Sequence, residues 1–173
     1  KLLSPADFAA TSDTHIAVES TIAVPSSWAG QVLGPDINEG KPLPYFGIVT
    51  YRKQIIIPPD RVGSQMMLIS ENIGSAYRIW VNGTLVGGLG TLATEMQPAA
   101  YAVEVPQIRM NLISITPQSS NLDIIIQVSN YSFRESGIFG DIKIGPLYPT
   151  MIHVFNHYIL QDLVLIGVFL VVG

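Results

Sequence analysis

Three groups of side chains in this 173-residue chain have the chemistry to hold a ligand or an ion. The first lies in Tyr131-Ser132-Phe133-Arg134-Glu135-Ser136-Gly137, where aromatic, cationic and anionic groups follow one another in a short loop. Small-molecule and sugar sites combine an apolar platform with a few polar groups that fix orientation. Tyr45, Arg52, Trp80, Tyr131, Arg134 and Glu135 are therefore the ligand-binding candidates, drawn from a wider set that includes Trp28, Phe46, Arg78 and Phe133. Plainer roles are open to them: Arg52 suits half of a buried ion pair, and Trp80 with Arg78 suits packing on a neighbouring strand. The second group is Asp36, Asn38 and Glu39, oxygen donors of the kind calcium takes. Their spacing matches no recognised calcium loop, and Gly34-Pro35 beside them suits a simple turn. The third is His153 and His157, which share one face if the segment is helical and so have metal-ligand spacing. No third ligand accompanies them, and two polar residues beside an apolar segment are the simpler reading.

Catalytic constellations do not stand out. Glycoside hydrolysis uses two carboxyl groups about 5 to 9.5 Å apart, but Glu71, Glu95, Glu104 and Glu135 are scattered among strand ends and loops. No Gly-x-Ser-x-Gly nucleophile turn occurs, and the absence of cysteine removes thiol catalysis, disulfides and cysteine-based metal sites. The expectation is a binding module rather than an enzyme, with a structural calcium as the one cofactor the loop chemistry suits. Nine basic and thirteen acidic residues give a net charge of −4 without a Lys/Arg cluster, which argues against nucleic acid as a partner.

The elements that must position these groups read as strands. Pro and Gly punctuate the chain at short intervals, and the predicted strands are His15–Val24, Ile48–Ile57, Met66–Ile73, Ala76–Val81, Thr84–Val86, Tyr101–Val105, Leu112–Thr116, Leu122–Ser129 and Ile138–Ile144. Asn82-Gly83 between two of them suits a two-residue type I′ turn, whose central residues both need positive φ. Leu122, Ile124, Ile126 and Val128 fall on one face of their strand, with Asp123, Gln127 and Ser129 on the other. Residues 26–47 form a long irregular stretch, a length more often functional than incidental. With no helical period before residue 150, the pattern predicts an all-β sandwich or jelly roll over residues 1–149. Asn82-Gly83-Thr84 and Asn130-Tyr131-Ser132 also fit the glycosylation pattern, although the hairpin accounts for the first.

After residue 150 the character changes. The apolar fraction of the chain is 48% and the charged fraction 13%, about half that of an ordinary soluble domain, and the C-terminal segment contributes to the excess. Leu163–Gly173 is an unbroken apolar run with no polar face, so a helix there is buried in protein or in lipid. The expectation is a juxtamembrane segment and the start of a membrane-spanning helix over residues 150–173. At the other end, Lys1 follows no methionine or signal-peptide core, as expected of a fragment or a mature form.

Between Tyr45 and Leu147 the ordered segments resemble the galactose-binding-like jelly roll found at the front of family 2 glycosidases. The segments are Gly47-Ile48-Val49-Thr50-Tyr51-Arg52-Lys53 leading to Ile55-Ile56-Ile57-Pro58, then Ser75-Ala76-Tyr77-Arg78-Ile79-Trp80-Val81-Asn82-Gly83 with Val86-Gly87. Ile124-Ile125-Ile126-Gln127-Val128-Ser129-Asn130 and Ser136-Gly137-Ile138-Phe139-Gly140-Asp141-Ile142 complete the set. Followed by Ile144-Gly145-Pro146-Leu147-Tyr148-Pro149 and an apolar segment, the arrangement is similar to the extracellular domain of bacterial seven-transmembrane receptors with diverse intracellular signalling modules. That resemblance implies a sensor at the bacterial inner membrane, facing the periplasm or cell exterior, which binds a carbohydrate or related small molecule. It implies membrane attachment through the C-terminal helix, leaves room for a homodimer, and couples the module to cyclase, kinase or phosphatase outputs. A non-catalytic carbohydrate-binding module of a glycoside hydrolase and a protein-interaction sandwich are the alternatives.

Overall fold

Alternation along residues 121–130 sets the plan of the fold. Leu122, Ile124, Ile126 and Val128 all enter the main core, because a period of two places them on one face of the strand. The structure, a computed structural model, describes residues 20–35, 37–92, 110–131, 133 and 135–156. In chain order its strands are β1 (Ser26–Ser27), β2 (Gly47–Ile56), β3 (Met66–Glu71), β4 (Ile73–Gly74) and β5 (Ala76–Val81). They continue with β6 (Thr84–Leu89), β7 (Met110–Ile115), β8 (Asn121–Asn130), β9 (Gly137–Ile138) and β10 (Ile142–Pro146), and helix α1 (Leu147–Val154) follows.

The strands form an all-β sandwich of the jelly-roll, galactose-binding-like type. One sheet runs β2-β8-β5-β6 and the facing sheet β10-β3-β7, and every described pairing is antiparallel. β8 pairs with β2 along its whole length, from Gly47 opposite Asn130 to Ile56 opposite Asn121. Val49 and Tyr51 of β2, Tyr77, Ile79 and Val81 of β5, and Met66 and Leu68 of β3 meet the β8 side chains between the sheets. A small sheet, β1-β9-β4, brings the long irregular stretch against the segment that follows β8.

Turn chemistry acts as expected at the β5–β6 hairpin, where Asn82 and Gly83 have φ of 47° and 77°. Elsewhere the strand expectations need correction. Residues 20–24 form no strand; Ser20 donates instead to Leu33 O, and β-branched composition makes a strand only where a sheet edge is open to it. Residues 15–19 and the expected strand Tyr101–Val105 lie outside the described residues. Met66–Ile73 is two strands, divided at Asn72, whose φ of 43° is left-handed. Ile138–Ile144 is also two strands, because the chain changes sheets at Phe139–Asp141: Phe139 N donates to Asn72 O and Glu71 N to Asp141 O. Gly140 permits that crossing, since a Cβ there would stand 2.4 Å from Glu71 Cβ.

The helix starts at Leu147, before the expected change at 150, because Pro149 falls in the first turn, where the missing N–H has no intrahelical acceptor to lose. Leu147 and Val154 pack with Met67 and Ile69 on the outer side of β3. Among the described residues no helix is long and apolar enough to cross a membrane, and Leu163–Gly173 lie outside them.

One core group is poorly matched to its surroundings. The Tyr51 hydroxyl is buried without a hydrogen-bond partner among the described residues, and burial pushes its pKa up to about 12. The folded state therefore holds this proton more tightly than the unfolded chain does, whose tyrosines titrate near 10. The resulting stability is present below pH about 10 and is lost as pH rises through about 12. Tyr51→Phe is expected to leave the urea midpoint at pH 7 unchanged or higher, because it removes an unsatisfied buried group, and to flatten the alkaline loss. A fall of more than about 1 kcal/mol at pH 7 would show that the hydroxyl has a stabilising partner.

Candidate functional site

The end of the sandwich beyond Asn130 is built by two loops that share one buried amide. Asn130 is 0% exposed. Its Nδ2 donates to Tyr45 O at 3.1 Å, Phe133 O at 2.8 Å and Glu135 O at 3.2 Å, and its Oδ1 accepts from Phe133 N at 3.0 Å. One side chain therefore satisfies both the loop that enters β2 and the loop that leaves β8.

Trp28 secures the same region from the other side. It is buried in the core, its Nε1 donates to Pro44 O at 2.9 Å, and its backbone N donates to Ser136 O at 3.0 Å. The carbonyls of consecutive residues Pro44 and Tyr45 are thus both held from inside. The loop's aromatic side chains remain outside: Tyr45 is 60% exposed and Phe46 42%. Tying down backbone while leaving large apolar rings in water is costly as packing and useful as a ligand platform, because it prepays the ordering of the loop.

The segment after Asn130 supplies the other groups. Tyr131 and Phe133 are half-buried, Glu135 is exposed and Ser136 is fully buried. Gly74 lies beneath, where an added Cβ would touch Phe139, Phe133 and the Glu135 carbonyl at 3.4–3.5 Å. Of the residues chosen from sequence, Tyr45 and Glu135 are thus held through their backbone carbonyls by one amide, as Phe133 is, while Tyr131 and Phe46 adjoin these in the chain. Arg134 and Ser132 lie outside the described residues.

Arg52 and Trp80 sit elsewhere, on the outer face of the larger sheet. Arg52 grips Asp123 with a two-point fork, Nε to Oδ1 at 2.9 Å and Nη2 to Oδ2 at 3.0 Å. Both side chains are largely covered, so the ion pair is a structural clasp between β2 and β8. Trp80 is buried opposite Ile125, and Gln127 on the same face donates to Thr50 Oγ1. Arg78 reaches across Gly88 and donates to the Tyr77 and Leu89 carbonyls.

At the expected calcium turn, Asn38 Nδ2 donates to Lys41 O and Pro42 O, and Glu39 pairs with Lys41. Asp36 lies outside the described residues, and among those described no three His, Cys, Asp or Glu side chains are placed to hold a metal. His153 lies on α1, and His157 is also outside the described residues.

No family model matches the chain, and no curated protein is found to match it. Solved structures are similar to it in fold. Bacteroides uniformis β-glucuronidase 2 bound covalently to cyclophellitol-6-carboxylate aziridine aligns at a TM-score of 0.51 and 21% identity, over 83% of this chain and 16% of that one. A calcium-binding mutant of the same enzyme aligns at 0.52 and 18% identity, over 76% and 15%. A β-galactosidase-type structure from Bacteroides fragilis aligns at 0.49 and 19%, over 72% and 18%. This chain thus spans under a fifth of the length of each, and at the identities of the two β-glucuronidase 2 structures the likeness shows a shared β-sandwich fold alone.

Replacing Asn130 tests how the rim is built. Asn130→Ala should cost about 3 kcal/mol in urea unfolding, since it leaves the Tyr45, Phe133 and Glu135 carbonyls without their side-chain donor. Asn130→Asp should cost at least as much, because it sets a carboxylate oxygen against the same carbonyls. Losses under about 1 kcal/mol for both would show that the amide does not hold the loops.

Proposed function

We propose that this chain is a non-catalytic ligand-binding sandwich whose Tyr45–Tyr131–Glu135 rim takes a carbohydrate or related small molecule, and that it serves as the extracytoplasmic sensor of a bacterial membrane receptor. The observation that carries the binding reading is the pair of exposed rings at Tyr45 and Phe46, held on a backbone fixed by Trp28 and Asn130. A pyranose has one face of C–H groups that suits an aromatic ring, and hydroxyls that suit a carboxylate and a phenol. Glu135 and Tyr131 would orient the sugar, and Tyr45 and Phe46 would cover its apolar face. The receptor half rests on the apolar run Leu163–Gly173, which would link such a sandwich to the membrane. A signal would pass only if ligand binds two orientations of the following helix unequally.

A second reading, an accessory carbohydrate-binding module of a larger hydrolase, is supported by the enzymes in which the similar sandwiches occur. The coding sequence beyond Gly173 separates the two: further hydrophobic spans favour the receptor and a barrel domain favours the hydrolase.

Calorimetry with a panel of galactosides, glucosides and glucuronides tests the shared claim. At least one saccharide should bind, and Tyr45→Ala should weaken it about tenfold, a loss of ~1.4 kcal/mol. Binding that survives loss of both Tyr45 and Tyr131, or no binding by any saccharide, would contradict the assignment; the latter would turn attention to a protein partner.

A further inference from the structure

Helix α1 is apolar on two sides. Leu147 and Val154 face β3, and the helix approaches β10 so closely that a Cβ on Gly145 would stand 2.6 Å from Thr150 Oγ1. The other apolar side, continued by Phe155 just past its last residue, is uncovered: Tyr148 is 75% exposed, Ile152 61%, Phe155 50% and Met151 47%. Their spacing of three, four and seven residues places them along one stripe. Large apolar groups in a contiguous stripe mark a contact surface, whereas scattered ones do not.

We infer that this stripe rests on a lipid bilayer, with α1 lying in the interface plane and the sandwich seated against the membrane through it. Three features favour lipid over a protein partner. Residues 144–161 contain no Asp, Glu, Lys or Arg, so the segment that carries the stripe has no charged side chain of its own to keep in water. The sequence continues from it into Leu163–Gly173, which carries no polar side chain. Tyr148 has an apolar ring and a polar tip, the combination that settles at headgroup level. Residues 144–173 hold no Lys or Arg, so this segment offers no cation to anionic lipid, and its binding would rest on apolar burial. Because the buried side of α1 is packed on the sheet, the bilayer would hold the sandwich at a fixed attitude rather than on a loose tether.

This inference rests on the membrane placement proposed above, and the test separates the two. The chain has no cysteine, so one introduced cysteine carries one spin label. Variants Tyr148→Cys, Ile152→Cys and Phe155→Cys, with Lys41→Cys as an aqueous reference and Leu165→Cys in the apolar run, are reconstituted in phosphatidylcholine vesicles. Collisions with oxygen, which partitions into lipid, are compared with those of a water-soluble nickel chelate. Labels at 148, 152 and 155 should favour oxygen, the reverse of the label at 41. If they match the label at 41 while 165 favours oxygen, the stripe does not touch lipid and only this inference fails. If 165 is aqueous as well, the membrane placement fails with it. Labels on α1 shielded from both reagents would reveal a protein contact and overturn the lipid assignment.

Discussion

A buried amide must find partners for all its polar atoms, and Asn130 finds them in two loops at once. It stands at the last position of β8, directly opposite Gly47 at the first position of β2. The longest strand pairing therefore ends at the point where both loops begin. Any register slip between β2 and β8 would move the amide away from the Tyr45 carbonyl. The core, the pairing and the rim consequently depend on one geometry, and the Trp28 indole reinforces it from the far side of the Pro44–Tyr45 backbone.

The two faces of the larger sheet divide the labour. Its inner face supplies the core, where Leu122, Ile124, Ile126 and Val128 meet Leu68 and Met66. On its outer face the fork between Arg52 and Asp123 ties β2 to β8, and buried Gln127 is satisfied by Thr50. A polar group at 0% exposure without a partner would cost about 1–3 kcal/mol, so these bonds keep the face from weakening the sheet. Charge and aromaticity alone therefore did not separate scaffold from site: Arg52 and Trp80 have the composition of a binding residue and the surroundings of a structural one.

Much of the fold was legible because it rests on local rules. The period of two in β8 and the Asn82-Gly83 turn each specify their geometry through a few neighbouring residues. The misreadings have long-range causes. Residues 20–24 have strand composition but no strand pairing, and Ile138–Ile144 looks continuous until Gly140 is seen crossing Glu71. Within the candidate site, the loop after β8 stood out by its chemistry, and Tyr45 by its ring. Asn130 was visible only as the end of a family-like strand segment and as part of a glycosylation pattern, because its role depends on a carbonyl 85 residues away. A polar residue closing an apolar strand just before a chemically rich loop was the available signal. The exposed stripe on α1 was hidden by the uniform apolarity of the segment, in which buried and open sides look alike.

Hydrogen exchange in the Asn130→Ala variant, followed by mass spectrometry in peptides covering residues 43–47 and 131–136, tests the central claim most directly. If one amide holds both loops as a single rim, the two peptides lose protection together while the centre of β8 keeps it. Loss confined to 131–136, or no loss in either peptide, would show that the loops are ordered independently and that the rim is not one unit.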